Sequence, residues 1–263
     1  MKAVVSLSGG RDSSTCLGLA VQTFGKENVY AMGFEYGSKH PQEMDCAKEI
    51  ANYYGVPFQI VTIDPSIFSG SNSTLLQGRG EIEKDKTYTE IMEENGQRKV
   101  DTYVPARNTL FSAYVLARAE SLSQQFNDDV TIILGQHADD SGFTINENGE
   151  EVLDPSKAAY PDCTKQFVDA FAEVAKISSV GHVKYWAPFV KMHKWELIVT
   201  GLSLDKPVPY EKCLSCYDPV LGEDGKWHEC GRCATCLDSI EAERRAKEYI
   251  KEHGARSCKS VQD

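Results

Sequence analysis

Ser8-Gly9-Gly10-Arg11-Asp12-Ser13-Ser14 gathers glycine, hydroxyl and carboxylate groups within a few residues. Two glycines leave backbone N–H groups uncovered, serines add hydroxyl donors, and a helix starting there would aim its positive end at the same point. Together these features bind phosphate. The run is not a Walker loop, because no Lys-Ser/Thr pair follows four variable residues. A second chemical group lies near the other end of the chain, where Cys216, Cys230, Cys233 and Cys236 are spaced C-x13-C-G-x-C-x2-C. Thiolates at such spacing converge on one tetrahedral zinc ion at about 2.3 Å each, and four of them close the site, so it would be structural rather than catalytic. Cys213-x2-Cys216 is also a pair, which leaves Cys213 or Cys216 as the first ligand. An iron–sulfur cluster is the competing occupant.

The phosphate-binding reading depends on what flanks the loop. Ala3-Val4-Val5-Ser6-Leu7 is a β-branched run that stops at the glycine pair, which predicts a buried parallel strand. From Ser13 to about Phe24, Cys16, Leu17, Ala20 and Val21 fall at helical spacing, with Asp12 or Ser13 as the expected cap. Val29–Phe34 is a second strand, Pro41 opens a helix that Gly55 ends, and Phe58–Ile63 is a third strand. This β-α-β-α-β order demands right-handed crossovers and a parallel sheet. Residues 69–103 are polar and weakly periodic, which predicts a long loop or flap beside the sheet. A helix over about Asn108–Gln125 and a strand over Val130–Gly135 follow. Residues 142–158 carry turn signals and acids, and a helix over about Thr164–Ile177 comes next. Beyond Pro207 the composition turns to Cys, Gly and charge, closed by a helix from about Leu237 to His253. The expected domains are 1–206, binding nucleotide, and 207–263, binding zinc.

With 263 residues the chain has ample length to bury a core without disulfide staples. Lys and Arg total 28 against 39 Asp and Glu, a net charge of −11, which disfavours a surface that grips nucleic acid. The short apolar N-terminal run is no secretory signal, and no stretch approaches the roughly 18 apolar residues of a spanning helix. A cytoplasmic location is expected; thiols stay reduced there, so nine cysteines point to metal or chemistry before disulfides.

The glycine–serine loop resembles the PP-loop, SGGxDS, of the ATP pyrophosphatase superfamily, whose members cleave ATP between the α and β phosphates and adenylate a substrate. Over nearly its full length the chain resembles the 7-cyano-7-deazaguanine synthases, the QueC family of the queuosine pathway. The matching segments are Phe34-Glu35-Tyr36-Gly37 with His40 and Glu43, Val104-Pro105-Ala106-Arg107-Asn108-Thr109-Leu110-Phe111, Tyr160-Pro161-Asp162-Cys163, Lys194-Trp195-Glu196 and Ser215-Cys216-Tyr217 ahead of the last three cysteines. The resemblance implies an α/β, Rossmann-like fold of the adenine nucleotide alpha hydrolase type, with helices on both faces of a parallel sheet and a small zinc-binding helical unit. It implies a homodimer that turns 7-carboxy-7-deazaguanine, ammonia and ATP into the nitrile through an acyl-adenylate and an amide.

Carried onto this chain, Ser8, Gly9, Gly10, Asp12 and Ser13 would hold the pyrophosphate end of ATP, with Phe34, Arg107 and Asn108 completing the nucleotide site. Asp12 would bind Mg²⁺ or fix the loop amides, since a carboxylate facing phosphate is repelled. Lys194 would neutralise phosphate and Arg107 would lie near the phosphates or the substrate carboxylate. Tyr160, Asp162 and Asp140 are the candidates for the deazaguanine. Each has a plainer reading: Tyr160-Pro161 as a turn, Asp162 as the cap of the next helix, Phe34 as core. His40, His137 and His193 read as hydrogen-bonded structural residues.

Three departures from the family pattern bear on the product. Asp139-Asp140-Ser141-Gly142 lacks the family's aromatic residue before the serine and is followed by an extra stretch, Phe143–Ala159, and Ser239 stands where the family has an arginine. An enzyme that stops at the amide, or joins the activated carboxylate to another amine such as a protein N-terminus, is therefore the first alternative. A tRNA-thiolating PP-loop enzyme and a non-enzymatic zinc module are the others.

Overall fold

A computed structural model describes residues 1–96, 100–180 and 182–254. In chain order the main elements begin with β1 (Lys2–Ser6), α1 (Arg11–Phe24), β2 (Val29–Glu35), α2 (Glu43–Tyr54), β3 (Phe58–Thr62), α3 (Tyr88–Asn95), α4 (Arg107–Phe126) and β4 (Val130–Ile133). They continue with β5 (Phe143–Ile145), β6 (Glu151–Leu153), α5 (Lys165–Ser178), β7 (Val183–Trp186), α6 (Lys194–Leu202), β8 (Val220–Leu221), β9 (Trp227–His228) and α7 (Ala234–His253).

Five strands pair in the order β3-β2-β1-β4-β7, every pair parallel. Successive side chains of a strand point to opposite faces, and β1 buries both sets. Ala3 and Val5 pack with α1, α2, α6 and α7, while Val4 packs with α4. Helices therefore cover both faces, as the unbroken apolar runs require. Leu17 of α1 and Ile50 of α2 are fully buried, each contributing about 1.5–3 kcal/mol of apolar transfer. The strand order reverses between β1 and β4, and the crevice beyond their carboxyl ends is where such sheets bind ligands.

Several boundaries differ from the sequence expectation. Helix α1 starts at Arg11 with Gly10 as its N-cap, so neither Asp12 nor Ser13 caps it. The Ser13 hydroxyl instead accepts from the Ser8 amide and donates to the Gly10 carbonyl, closing the loop on itself. Helix α2 starts two residues after Pro41, which sits in a turn closed by the Met44 amide on the Pro41 carbonyl. The region 69–103 contains α3, whose start is a Thr87/Glu90 capping box, a Thr-x-x-Glu signal present in the sequence. Residues 142–158 form the antiparallel hairpin β5–β6. The last helix starts at Ala234, three residues before Leu237, which places Cys236 in its first turn. Strand β7 and helix α6 had no counterpart in the sequence expectation; β7 is a four-residue edge strand, and α6 is an apolar stretch without clean periodicity. Among the described residues no helix is long and apolar enough to cross a membrane.

The hairpin is tied to the sheet through His193, which caps α6. Its Nδ1 lies 2.5 Å from Asp139 Oδ1 and its Nε2 3.1 Å from Glu151 Oε1. A carboxylate oxygen accepts, so both contacts are satisfied together when the ring carries a proton on each nitrogen. The hydrogen bond to Asp139 is the largest influence raising its pKa, burial opposes it, and Glu151 adds to the rise. A raised pKa stabilises fully below the ordinary value of 6.5, and the contribution is lost as pH climbs through the folded value. Amide exchange over residues 143–153, corrected for its intrinsic pH dependence, should therefore accelerate with rising pH. The His193→Gln variant should flatten that profile; an unchanged profile would refute the tie.

Candidate active site

The carboxyl ends of β1, β2 and β4 open into a cavity of about 230 Å³. The β1–α1 loop forms one wall and needs Gly9 for two reasons. Its φ is +84°, and a Cβ there would come within 2.5 Å of the Glu43 carbonyl and 2.7 Å of the Ala47 amide of α2. Opposite, Gly135 after β4 lies so close to the loop that a Cβ would meet the Asp12 backbone at 3.2 Å. Ser8, Gly10, Asp12 and Ser13 line this wall, and their hydroxyls interlock, Ser8 Oγ lying 3.0 Å from Ser13 Oγ.

Of the remaining sequence candidates, Phe34, Arg107, Asn108 and Asp140 also line the cavity. Phe34 stacks on Phe111 at 4.2 Å between centroids and 6° between planes, so it is both core and cavity wall. Arg107 donates to the Tyr36 hydroxyl at 3.2 Å. Burial opposes its charge, and the oxygens of Tyr36, Tyr217 and Asp162 more than offset that, so its pKa is raised. Asp140 is pushed upward by burial, against the pull of His137 and Lys194.

Lys194, Tyr160 and Asp162 stand behind this surface. Lys194 donates to Asp238 Oδ2 at 3.0 Å and lies 3.7 Å from Asp12 Oδ2. Burial disfavours its charge, but Asp12, Asp238 and Asp140 hold its pKa above the ordinary value. Tyr160 is buried, its hydroxyl 2.7 Å from Thr102 Oγ1 and 3.2 Å from the Tyr217 hydroxyl; Tyr217 is the residue that reaches the cavity. Asp162 does not cap the helix that follows it, which Thr164 does. Its Oδ2 accepts from the Asn108 amide at 3.2 Å, serving α4, whose own N-cap residue is Ala106 at φ +52°. His137 lies under the loop, 1% exposed, with Nε2 3.4 Å from Asp140 and 3.7 Å from Asp12. Burial lowers its pKa, and the two carboxylates reverse that to a net rise.

Sequence reasoning did not single out Tyr36, Glu43, Gln136 or Tyr217 as site residues, although all line the cavity. Three of them sit inside the quoted segments; Gln136, just past β4, could have been reached from the rule that ligands bind beyond strand ends. Burial pushes the Glu43 carboxyl up to about 7, with Arg107 pulling the other way.

The four sulfurs of Cys216, Cys230, Cys233 and Cys236 lie within 4.8 Å of one another. Cys216 and Cys233 are 3.9 Å apart and Cys230 and Cys236 4.0 Å, against about 3.8 Å for the edge of a tetrahedron with 2.3 Å bonds. Amides of Asp218 and Cys230 donate to Cys216 Sγ, and those of Arg232 and Cys233 to Cys230 Sγ. Cys213 lies outside the cluster, buried against α1 and α2, so Cys216 is the fourth member.

The sequence matches the family described as "Queuosine biosynthesis protein QueC" over residues 2–247. The 7-cyano-7-deazaguanine synthase of Rhodopirellula baltica is 36% identical over 243 residues, covering 90% of this chain and 84% of that one. Its counterpart in Rickettsia felis is 34% identical over 244 residues, 92% and 93% of the two chains. The protein of that name from Prochlorococcus marinus subsp. pastoris is 33% identical over 240 residues, 89% of each.

Two outcomes follow from the geometry. Cys213→Ala should keep one bound metal per chain in elemental analysis, whereas Cys216→Ala should lose it; the reverse would contradict the cluster. Asp162→Ala should lower the unfolding free energy by about 1 kcal/mol in urea titration, as a lost helix cap does, with Asp162→Asn retaining most of it. An Ala variant of full stability would reject the capping role.

Proposed function

The chain belongs to the QueC family, and from that membership we propose that it makes 7-cyano-7-deazaguanine, the product in its relatives' name, from 7-carboxy-7-deazaguanine, ammonia and ATP. One observation carries the reading to this chain. The serine–glycine loop, an aromatic wall, a guanidinium and buried carboxylates share one cavity at the switch point of a parallel sheet. A carboxylate is a poor electrophile, and transfer of AMP to one of its oxygens makes that oxygen a leaving group. In the first half-reaction the substrate carboxylate attacks the α-phosphorus and pyrophosphate departs. Ammonia then attacks the carbonyl carbon, loses a proton and expels AMP to leave the amide. Attack of the amide oxygen on the α-phosphorus of a second ATP expels a second pyrophosphate, and loss of AMP and the two N–H protons then gives the nitrile.

Within this scheme Ser8, Gly9, Gly10 and Ser13 hold the pyrophosphate end, and Phe34 and Asn108 flank the nucleotide. Arg107, reaching the cavity with donors unspent on Tyr36, meets the phosphates or the substrate carboxylate. Lys194 sets the charge beneath the loop through Asp12. Asp12 Oδ1 is buried with no hydrogen-bond partner among the described residues, which fits a hard cation, so Asp12 with Asp140 would hold Mg²⁺. Mg²⁺ there would neutralise charge on the departing pyrophosphate. The four cysteines fit Zn²⁺, which would contribute to folding rather than to the reaction. Tyr160 and Asp162 contribute to the deazaguanine side from behind Tyr217 and Asn108. We further read the chain as cytoplasmic and homodimeric, with residues 1–206 carrying nucleotide and the remainder carrying metal.

A second reading is kept because hairpin β5–β6 interrupts the chain between Asp140 and Tyr160. In it the enzyme stops at the amide or passes the acyl group to another amine, such as a protein N-terminus. Mass spectrometry of a reaction with carboxy-deazaguanine, Mg·ATP and ammonium separates the cases. Nitrile with AMP is expected. Amide alone, or an adenylate that discharges onto added protein, would replace the nitrile reading with the second, and no AMP would end both.

A further inference from the structure

Arg11 occupies the variable position of the loop, yet it is not a surface residue, its side chain being 10% exposed. It does not line the cavity. Instead its guanidinium turns to the cysteine unit, where Nη1 and Nη2 donate to Glu229 Oε1 and Oε2 at 2.6 and 3.1 Å. Nε donates to Glu243 Oε1 of α7 at 2.9 Å. Glu229 immediately precedes Cys230, and its Oε1 also accepts from the Ser215 amide at 3.0 Å. Ser215 immediately precedes Cys216, and its hydroxyl accepts from the Arg11 amide at 3.1 Å. Next to it the Leu214 amide donates to the Gly9 carbonyl at 3.0 Å. The ring closes on itself: Arg11 to Glu229 to Ser215 and back to Arg11.

This ring decides which backbone groups the loop can offer to an anion. The Gly9 carbonyl, which would repel phosphate, is occupied by Leu214, and the turn through Gly10 is held between two fixed points. Ser215, beside the loop, and Tyr217 meanwhile line the cavity, so the cysteine unit supplies part of its wall. A bidentate guanidinium–carboxylate pair fixes orientation as well as distance, which a single lysine charge does not.

We propose that Arg11 is a positioning residue, which clamps the phosphate loop to the cysteine unit through Glu229 and thereby sets the affinity of the site for the polyphosphate of ATP. The proposal rests on the reading of the cavity as an ATP site. Its test is isothermal titration of the full-length, metal-loaded protein with Mg·ATP, with metal content and circular dichroism as controls and steady-state kinetics alongside. Arg11→Met should weaken ATP binding at least tenfold, with KM for ATP rising more than kcat falls. Arg11→Lys should recover only part of the loss. Glu229→Gln should weaken binding about fivefold, and the Arg11→Met/Glu229→Gln double variant should be no worse than Arg11→Met alone, because both break one link. Should Arg11→Met lose its metal or fold, Arg11→Lys and Glu229→Gln decide the matter by the same criterion of weakened binding with metal retained. ATP affinity within twofold of the parent in metal-retaining variants, or full additivity in the double variant, would overturn the proposal. Failure of the parent itself to bind ATP would instead overturn the reading of the site.

Discussion

Lys194 is the constraint around which the carboxyl end of the sheet is built. An ammonium with 4% side-chain exposure is tolerable only if acids surround it, because removing it from water costs several kcal/mol. The acids come from different elements: Asp12 from the first turn of α1, Asp238 from α7, and Asp140 from the segment after β4. The Lys194 amide adds a hydrogen bond to Asp139 at 2.8 Å. Helices α1, α6 and α7 therefore have to converge beneath the serine–glycine loop, and the carboxylate of Asp12 is one of the groups that draws them in. A chain with net charge −11 thus buries a cation whose charge its own carboxylates balance.

That arrangement explains which parts of the structure were legible in the sequence. The strand–loop–helix at residues 3–24 and the four-cysteine spacing are local patterns, and periodicity or ligand spacing suffices to read them. Helix α6 was unread because seven of its nine residues are buried, so no polar face marks it; its identity depends on a charged residue, Lys194, buried by tertiary contact. Asp162 shows the opposite failure. A carboxylate two residues before Thr164 looks like a cap for the helix ahead, but it caps α4, 54 residues earlier in the chain. Only folding reveals that Ala106, with its positive φ and methyl side chain, leaves α4 without a cap of its own. Choosing between Cys213 and Cys216 likewise required three dimensions, since both lie at workable spacing.

The hairpin β5–β6 is not an independent ornament on this scaffold. Asp139 accepts from His193 with one oxygen and from the Lys194 amide with the other. Burial alone would raise the Asp139 carboxyl, yet the hydrogen bond from His193 and the nearby His137 bring it down to about 2. Glu151 of the hairpin grips the far side of the same imidazole. The hairpin is thereby linked, through one histidine and one aspartate, to Lys194 under the loop.

The cavity itself divides by chemistry. On the β2 side, Phe34 and Phe111 present a stacked aromatic pair, beside Tyr36 and the Glu43 carboxyl held near neutrality. On the β4 side the lining turns polar, with Asn108, Ser112, Gln136 and Asp140. A planar heterocycle is favoured against the first wall by area and stacking, and a ligand with directed donors and acceptors against the second. Arg107 stands between them, 5.6 Å from the Tyr36 ring and 5.7 Å from the Phe111 ring. Two flat ligands joined at a charged centre suit that geometry, and the transfer of AMP to a heterocyclic carboxylate joins two such ligands at one phosphorus atom. The loop, the guanidinium of Arg107 and the carboxylates of Asp12 and Asp140 line the cavity in which the proposed reaction would join the two ligands.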